Sequence, residues 1–289
     1  MSAELPPWPA PAKLNLFLHI VGRRPDGYHE LQTMFQFVDL CDDIHIHARR
    51  DGEIRLIAGA PGVPPESDLC VRAAKALKTA RGCPMGADIR VVKRIPMGGG
   101  MGGGSSDAAT CLVALNRLWG LGLPTDELAG LGLKLGADVP VFIHGRAAWA
   151  EGVGERLTSL YPPDAPSECN YLIIKPNVSI PTKDVFQDPE LTRNSPPLTI
   201  HGFLASGGGN DCLRVVRRRY PEVARAMEWL SPLGEARLTG TGSCVFVVCE
   251  EARASALLAK LPPEWHGYSA RGLNDSPLLS RLEVARRAV

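Results

Sequence analysis

The sequence predicts an α+β fold of two domains that meet at a cleft, and three observations carry that reading. At 289 residues the chain exceeds the usual size of one domain. Strand-like alternation and helix-like periodicity mix along it without a strict βαβ repeat. Pro162, Pro163 and Pro166, interleaved with Asp164, Ser167 and Glu168, mark a linker near residues 161 to 169, so the domains are expected at 1–163 and 164–289. With 45% hydrophobic residues, both can hold a real core.

Charge and cysteines narrow the setting. The 32 basic and 31 acidic residues leave no net field to attract nucleic acid or an anionic membrane. A local cluster at Arg214, Arg217, Arg218 and Arg219 reads as a solvated helix face. The eight cysteines form neither C-x-x-C pairs nor a zinc spacing, and Cys111 and Cys244 sit inside apolar runs. Reduced thiols and a cytoplasmic setting are therefore expected. The start Met1-Ser2-Ala3-Glu4-Leu5 has no basic n-region or apolar core, and no stretch reaches the length of a membrane span.

Taken in order, Pro11 to Ile20 alternates Leu14, Leu16, Leu18 and Ile20 with Asn15, Phe17 and His19, which predicts a strand with one face on a core. Lys13 and Asn15 share the opposite face; a lysine there is either solvated or employed. Pro25-Asp26-Gly27 is a turn by its own chemistry and presents Tyr28 beside His29. An aromatic next to an imidazole suits stacking on a nucleobase and reading its edge. A tyrosine filling a loop core with the histidine on the surface is the alternative. Phe35 to Leu40 and Ile44 to His47 read as strands joined by a turn at Cys41-Asp42-Asp43, with His45 and His47 on a wet face. Ser67 to Ala80 is helical by period, capped by Ser67. Ala87 to Lys93 is a strand.

That strand leads into Gly98-Gly99-Gly100-Met101-Gly102-Gly103-Gly104, where six of seven residues are glycine. Such a run carries a large entropy cost, which points to something approaching the backbone where a Cβ would block it. From Ala108 the residues Leu112, Leu115 and Trp119 recur at helical spacing. The loop therefore opens into a helix, with Ser105 or Ser106 as N-cap and Asp107 in its first turn. Free N–H groups at such a start form a site for anionic oxygens, phosphate above all. A flexible linker is the competing reading. A Walker A loop is excluded, because Ser105-Ser106 stands where lysine then Ser/Thr is needed. Gly98-x-Gly100-x-x-Gly103 matches the dinucleotide fingerprint only formally, since Pro96 interrupts the strand before it. Protein-kinase signatures are absent.

Beyond the loop helix, Thr125 to Leu135 reads as a short helix. Asp138 then stands between Ala137 and Val139 at the edge of an apolar run. A carboxylate there is expensive unless paired or employed, and a helix cap is its structural alternative. Tyr171 to Ile174 is a strand and Pro181 to Phe186 starts a short helix. Residues 188 to 209 read as loop. Helices follow at Asp211 to Arg219 and Val223 to Leu230. Thr239-Gly240-Thr241-Gly242 is a second glycine turn entering a buried strand, and Glu251 to Leu261 is a helix.

The run IPMGGGMGGGSSDAA resembles the phosphate loop of the GHMP kinases, the small-molecule kinases that include galactokinase, homoserine kinase, mevalonate kinase and phosphomevalonate kinase. PAKLNLFLHIVGRRPDGYHELQT, LGADVPVFIHG, AEGVGE and RLTGTGSCVFVV extend the resemblance over nearly the whole chain. DGYHELQT, PAKLNLFL and GADVPVF resemble the branch that phosphorylates the 2-hydroxyl of the cytidyl diphosphate of methylerythritol, in non-mevalonate isoprenoid synthesis. The resemblance implies a two-domain GHMP-kinase fold with its active site in the cleft, ATP and Mg2+ as cofactors, and Lys13 with Asp138 as catalytic pair. It implies that Pro96, Met97, Gly98, Gly99, Gly100, Met101, Gly102, Gly103, Gly104, Ser105 and Ser106 cover the nucleotide phosphates. Tyr28 and Phe186 would sandwich the cytosine while His29 meets its polar edge. Asn15 and Thr182 would line the same groove, and Thr241 and Gly242 would close it. Magnesium would bridge phosphate oxygens, mainly through water, without a carboxylate cage. Asp107 should point away from the phosphates or weaken nucleotide binding. A monomer or weak homodimer acting on a small molecule is expected, with no nucleic-acid or membrane partner. The remaining alternatives are a sister kinase acting on mevalonate, homoserine or a sugar, and a catalytically silent binding protein of the same fold.

Overall fold

The computed structural model describes residues 6–287; the expectation for Met1 to Leu5 lies outside them. Two long strands, β1 (Trp8–Arg23) and β2 (His29–Arg49), pair antiparallel as a hairpin around which the amino-terminal half is laid. β4 (Gly86–Val92) pairs antiparallel with β2, and β3 (Ile54–Ala58) pairs parallel with β4. Three helices follow the glycine loop or precede it: α1 (Leu69–Arg81), α2 (Gly103–Leu118) and α3 (Thr125–Leu133). The six-residue α4 (Val139–His144) comes next. Then β5 (Ala148–Gly152) returns to β2 and carries β6 (Arg156–Ser159). The buried faces of α1, α2 and α4 pack with Phe37, Ile44 and Ile89 into one core.

Past the proline-rich connection, β7 (Asn170–Lys175) leads through α5 (Thr182–Phe186), α6 (Ile200–Ser206), α7 (Leu213–Arg219) and α8 (Pro221–Leu230). β8 (Arg237–Leu238), β9 (Val245–Val248), α9 (Glu251–Leu258), β10 (His266–Leu273) and α10 (Pro277–Arg287) complete the chain. β10 pairs with β7 through His266 to Arg271, then with β2 at Gly272 and Leu273. The strands thus run in the order β3-β4-β2-β10-β7-β9-β8, continuous across both halves. A second core gathers α7, α8 and β9. A third, with Leu14, Phe17, Met34, Met101, Ile173 and Phe246, lies between the halves. Strands and helices mix as expected of an α+β protein.

Several sequence expectations are corrected. Cys41-Asp42-Asp43 is not a turn: β2 runs straight through, with an irregularity where Pro11 pairs with Cys41 but Ala12 with Val38. The polar pair is tolerated because Asp42 accepts from Lys93 Nζ and the backbone N–H groups of Arg94 and Ile95. α1 starts one residue later than read, because Asp68, not Ser67, caps it by accepting from Cys70 N at 2.9 Å. α2 starts earlier, with Gly102 as N-cap in the left-handed region and no serine cap. Residues 200–206, expected to be loop, form α6, capped by Thr199. The arginine cluster is only partly solvated, since Arg218 and Arg219 both reach the buried carboxylate of Asp188. All eight cysteines are free, and burial pushes the Cys212 and Cys244 thiols up to about 12, so they behave as small hydrophobes.

Candidate active site

Lys13 lies mid-way along β1, on the strand face that looks at the glycine loop, and its own N–H donates to Met101 O at 3.0 Å. Its side chain is buried and triply engaged. Nζ donates to Asn15 Oδ1 at 2.6 Å, lies 3.4 Å from Asp138 Oδ2, and stands 5.2 Å from the Phe35 ring centroid. A buried ammonium needs such partners to stay charged. Asp138 immediately precedes α4 but makes no side-chain cap bond, so its carboxylate is not consumed by the helix. That side chain is 34% exposed. It is therefore paired on one edge and open to a ligand on the other.

The loop that links β4 to α2 lines two cavities. The larger, about 440 Å³, runs along Pro96 to Ser105 and is floored by Ala60, Val63 and Leu69. The smaller, about 290 Å³, contains Lys13, Asn15, Thr33, Asp138, Thr182 and Phe186. Both include Gly100, Gly102 and Ser105, so they meet at the loop. Gly102, at φ +73°, leaves room for its neighbours: a Cβ there would stand 2.8 Å from Phe142 and 3.2 Å from Lys13 Cε. The loop and the start of α2 line the first cavity, and Lys13 and Asp138 line the second.

The second glycine turn docks on the first. Ser243 N and Cys244 N donate to Gly98 O and Gly99 O at 3.2 and 3.1 Å. Thr239 Oγ1 accepts from Asn15 N at 3.0 Å and donates to Gly100 O at 3.3 Å. Asn15 Nδ2 donates to Thr33 Oγ1 at 2.9 Å, so Asn15 is held from both sides while it holds Lys13. Thr182 and Thr241 share a hydroxyl contact of 3.1 Å at the wall of the acceptor cavity. Gly242 does not line that cavity; its carbonyl faces Gly100. Thr33 and Thr239 escaped sequence reading, although Thr239 stands in the same LTGTGS run as Thr241.

Phe186 lines the acceptor cavity and stands against His29, ring centroids 5.1 Å apart, but neither His29 nor Tyr28 lines that cavity. Tyr28 is 65% exposed and pairs with no aromatic ring among the described residues. The structure thus brings His29, rather than Tyr28, against Phe186. A base entering between Tyr28 and Phe186 would require the tyrosine to swing in from solvent.

Asp107 lines the cavity along the glycine loop. It points from α2 toward Lys93, whose Nζ stands 2.7 Å from Oδ2, and Asp42 binds the same ammonium. Burial pushes the Asp107 carboxyl up to about 7, opposed by Lys93 and aided by Asp42, and its Oδ1 has no hydrogen-bond partner. Lys93 is held above its ordinary value by the two carboxylates despite its burial. The acid beside the phosphate cradle is therefore neutralised by proton or lysine. The unfolded chain releases the Asp107 proton near pH 4, whereas the folded chain keeps it until about pH 7. Stability must fall as pH rises through that window and level off above it. Asp107→Asn is expected to remove this slope. Relative to the parent it should gain ~2–4 kcal/mol between pH 4 and 7, read by urea denaturation at each pH.

For magnesium, the described residues hold no group of three or more His, Cys, Asp or Glu that could cage a metal. Hard oxygens are nevertheless at hand: Ser105 and Asp138 line the acceptor cavity, and the buried Ser106 hydroxyl has no hydrogen-bond partner. This donor set fits an ion held mostly by phosphate and water. No described helix is long and apolar enough to cross a membrane.

Comparison with known proteins identifies the family and the fold. The family model for the GHMP kinases N terminal domain matches residues 68–146, and that for the GHMP kinases C terminal domain matches residues 201–266. The 4-diphosphocytidyl-2-C-methyl-D-erythritol kinase of Nitrosococcus oceani is 56% identical over 277 residues, covering 96% of this chain and 98% of that protein. The enzyme of the same name from Alkalilimnicola ehrlichii is 56% identical over 276 residues, covering 95% and 94%. A crystal structure of 4-(cytidine 5'-diphospho)-2C-methyl-D-erythritol kinase superposes with TM-score 0.78 at 33% identity, covering 91% of this chain and 98% of that one. The Methanococcus jannaschii mevalonate kinase structure, at 19% identity and TM-score 0.67 over 91% of this chain and 97% of its own, shares the fold.

Proposed function

The chain belongs to the 4-diphosphocytidyl-2-C-methyl-D-erythritol kinases, within the two-domain GHMP kinases, and from that premise we propose how its residues divide the reaction. It is an ATP-dependent kinase that phosphorylates the 2-hydroxyl of 4-diphosphocytidyl-2-C-methyl-D-erythritol in isoprenoid synthesis. The observation that carries the division of roles is the Lys13–Asp138 pair, 3.4 Å apart where the acceptor cavity meets the glycine loop.

Asp138 is the general base. As the acceptor oxygen bonds to the γ-phosphorus and the bond to the ADP leaving oxygen breaks, the hydroxyl proton passes to the Asp138 carboxylate. Lys13 orients that carboxylate, 3.4 Å away, and steadies charge on the transferring phosphoryl group. Main-chain N–H groups of the loop from Gly98 to Ser106 hold the ATP phosphates. Asn15, Thr182 and Thr241 line the groove for the acceptor. The Ser105, Ser106 or Asp138 oxygens would help phosphate and water to hold magnesium, which would supply charge neutralisation there. We divide the domains between residues 163 and 164, in the proline-rich connection, with the cleft between them.

Tyr28 closes over the cytosine from the side opposite Phe186. Tyr28→Ala is expected to raise KM for the cytidyl substrate roughly 10-fold or more, the worth of one base stack, and to leave KM for ATP unchanged. The experiment that tests the whole reading is a coupled ADP-release assay with the cytidyl diphosphate substrate against mevalonate and homoserine. Equal turnover of the three would support a sister kinase, and no turnover of any would support a silent binding protein.

A further inference from the structure

Asn210 is half-buried in the segment between α6 and α7, and its side chain is spent on the backbone. Nδ2 donates to Leu238 O at 2.9 Å and to Gly240 O at 2.8 Å, and Oδ1 accepts from Cys212 N at 2.9 Å. A carboxamide has two N–H donors, so both are committed. Leu238 and Gly240 flank Thr239. One side chain therefore gathers the carbonyls on either side of Thr239 and fixes the bend by which the second glycine turn leaves β8.

That bend decides what the turn presents to the acceptor cavity. Thr239 Oγ1 accepts from Asn15 N at 3.0 Å and donates to Gly100 O at 3.3 Å, while Asn15 Oδ1 holds Lys13 Nζ at 2.6 Å. Gly240, at φ +57°, lies so close that a Cβ would stand 3.2 Å from Gly100 O and 3.5 Å from Asn15 Oδ1. Gly240 and Thr241 line the cavity on one side and Leu18 of β1 lines it as well. The segment that carries Asn210 is pinned to that same stretch of β1. Leu18 N donates to Gly209 O and Asp211 N to Leu18 O, both at 2.9 Å, and Asp211 Oδ2 accepts from Ile20 N at 2.6 Å. Asn210 thus ties the turn to the strand that bears Lys13 and Asn15.

We infer that Asn210 is a positioning residue for the phosphoryl acceptor, which sets Gly240 and Thr241 against Asn15 and so fixes the wall of the acceptor cavity beside Lys13. The inference rests on the kinase reading above. Asn210 lines neither the acceptor cavity nor the cavity along the glycine loop, so it acts through the turn alone. The turn's grip on the phosphate loop runs by another route, because Ser243 N and Cys244 N donate to Gly98 O and Gly99 O without passing through Asn210. Loss of the carboxamide must therefore disturb the acceptor side and spare the nucleotide side.

The test uses the full chain and measures steady-state kinetics for ATP and for the cytidyl diphosphate substrate in the parent, Asn210→Asp, Asn210→Ala and Asp211→Ala. Asn210→Asp keeps the shape of the side chain but turns an oxygen toward two carbonyl oxygens. It should lower kcat/KM for the cytidyl substrate roughly 10–100-fold, the effect of a misplaced acceptor, and leave KM for ATP within about 3-fold of the parent. Asn210→Ala, which removes both donors without adding charge, should show the same split. Asp211→Ala loosens the same segment from β1 without touching the turn, so it should cost stability and leave both kinetic constants within about 3-fold. In a Thr239→Val background, Asn210→Asp should cost little more, because the hydroxyl it positions is already gone. Equal losses for both substrates, an Asp211→Ala variant as impaired as Asn210→Asp, or additive effects with Thr239→Val would make Asn210 a brace for its loop and overturn the inference. Failure of both Asn210 variants to fold would overturn it as well, since the residue would then serve stability. A parent that does not phosphorylate the cytidyl substrate defeats the functional reading, whereas an active parent without the split in its variants defeats this inference alone.

Discussion

Asp138→Asn is expected to lower kcat about 10²–10⁴-fold with KM for both substrates nearly unchanged. The amide keeps the size and the hydrogen-bonding shape of the carboxylate but cannot take the acceptor's proton. Lys13 remains seated, because Asn15 Oδ1 at 2.6 Å and the Phe35 ring still hold its ammonium. Since the Asp138 side chain is one-third exposed, solvent screens the lost attraction, and stability should change by about 1 kcal/mol or less. The measurement pairs steady-state ADP release with a denaturation midpoint. Near-normal turnover in a folded variant would remove Asp138 as the base and leave positioning as the whole of the catalysis, an outcome that a loose phosphoryl transfer permits.

Gly100→Ala should damage the enzyme by a different route, through the contact between the two glycine turns. Gly100 has φ +77°, where a side chain is strained, and a Cβ would stand 2.3 Å from Thr239 O and 3.0 Å from Gly242 O. Those carbonyls cannot easily retreat. Thr239 O already accepts from Gly242 N, and the Thr239 hydroxyl is tied to Asn15 and Gly100. The expected result is a loss of roughly 3 kcal/mol or more in stability, together with a KM for ATP raised about 10-fold or more as the phosphate cradle is pushed out of shape. Gly120→Ala is the control. Gly120 has φ +66° but open space around its Cβ position, so only the left-handed strain, about 1 kcal/mol, is expected there, with no change in KM. Equal effects of the two substitutions would show that backbone strain, not the turn-to-turn contact, governs the loop.

What could be read from the residues and what could not differ in a physical way. The phosphate loop was legible because six glycines within seven residues have a local meaning, whatever lies elsewhere. The strand phase that puts Lys13 and Asn15 on one face was legible for the same reason. Asp138 stood out as a carboxylate at the edge of an apolar run, but its partner, 125 positions earlier, came only from resemblance. The α1 cap and the helix at 200–206 were missed on local signals, at Asp68 and Thr199, and the other misreadings involve long-range contacts. Asp42 and Asp43 look like a turn until Lys93 and the backbone of Arg94 and Ile95 satisfy Asp42 within a continuous strand. Arg218 and Arg219 look like a wet helix face until Asp188 is folded beneath them. The cap of α2 lies at Gly102 rather than at a serine, at a position where a Cβ would meet the side chains of Phe142 and Lys13.

The order of residues was enough to give the α+β class and to single out the glycine loop, Lys13 and Asp138 as candidates, because propensity, periodicity and glycine's freedom act over a few neighbours. Folding in space was needed to bring Lys13 within 3.4 Å of Asp138, to join the two cavities at one loop and to tie Asn210 to the second glycine turn. Those relations depend on which distant surfaces become buried together, and charge or hydrogen-bond energies acquire their direction only after that burial has excluded water.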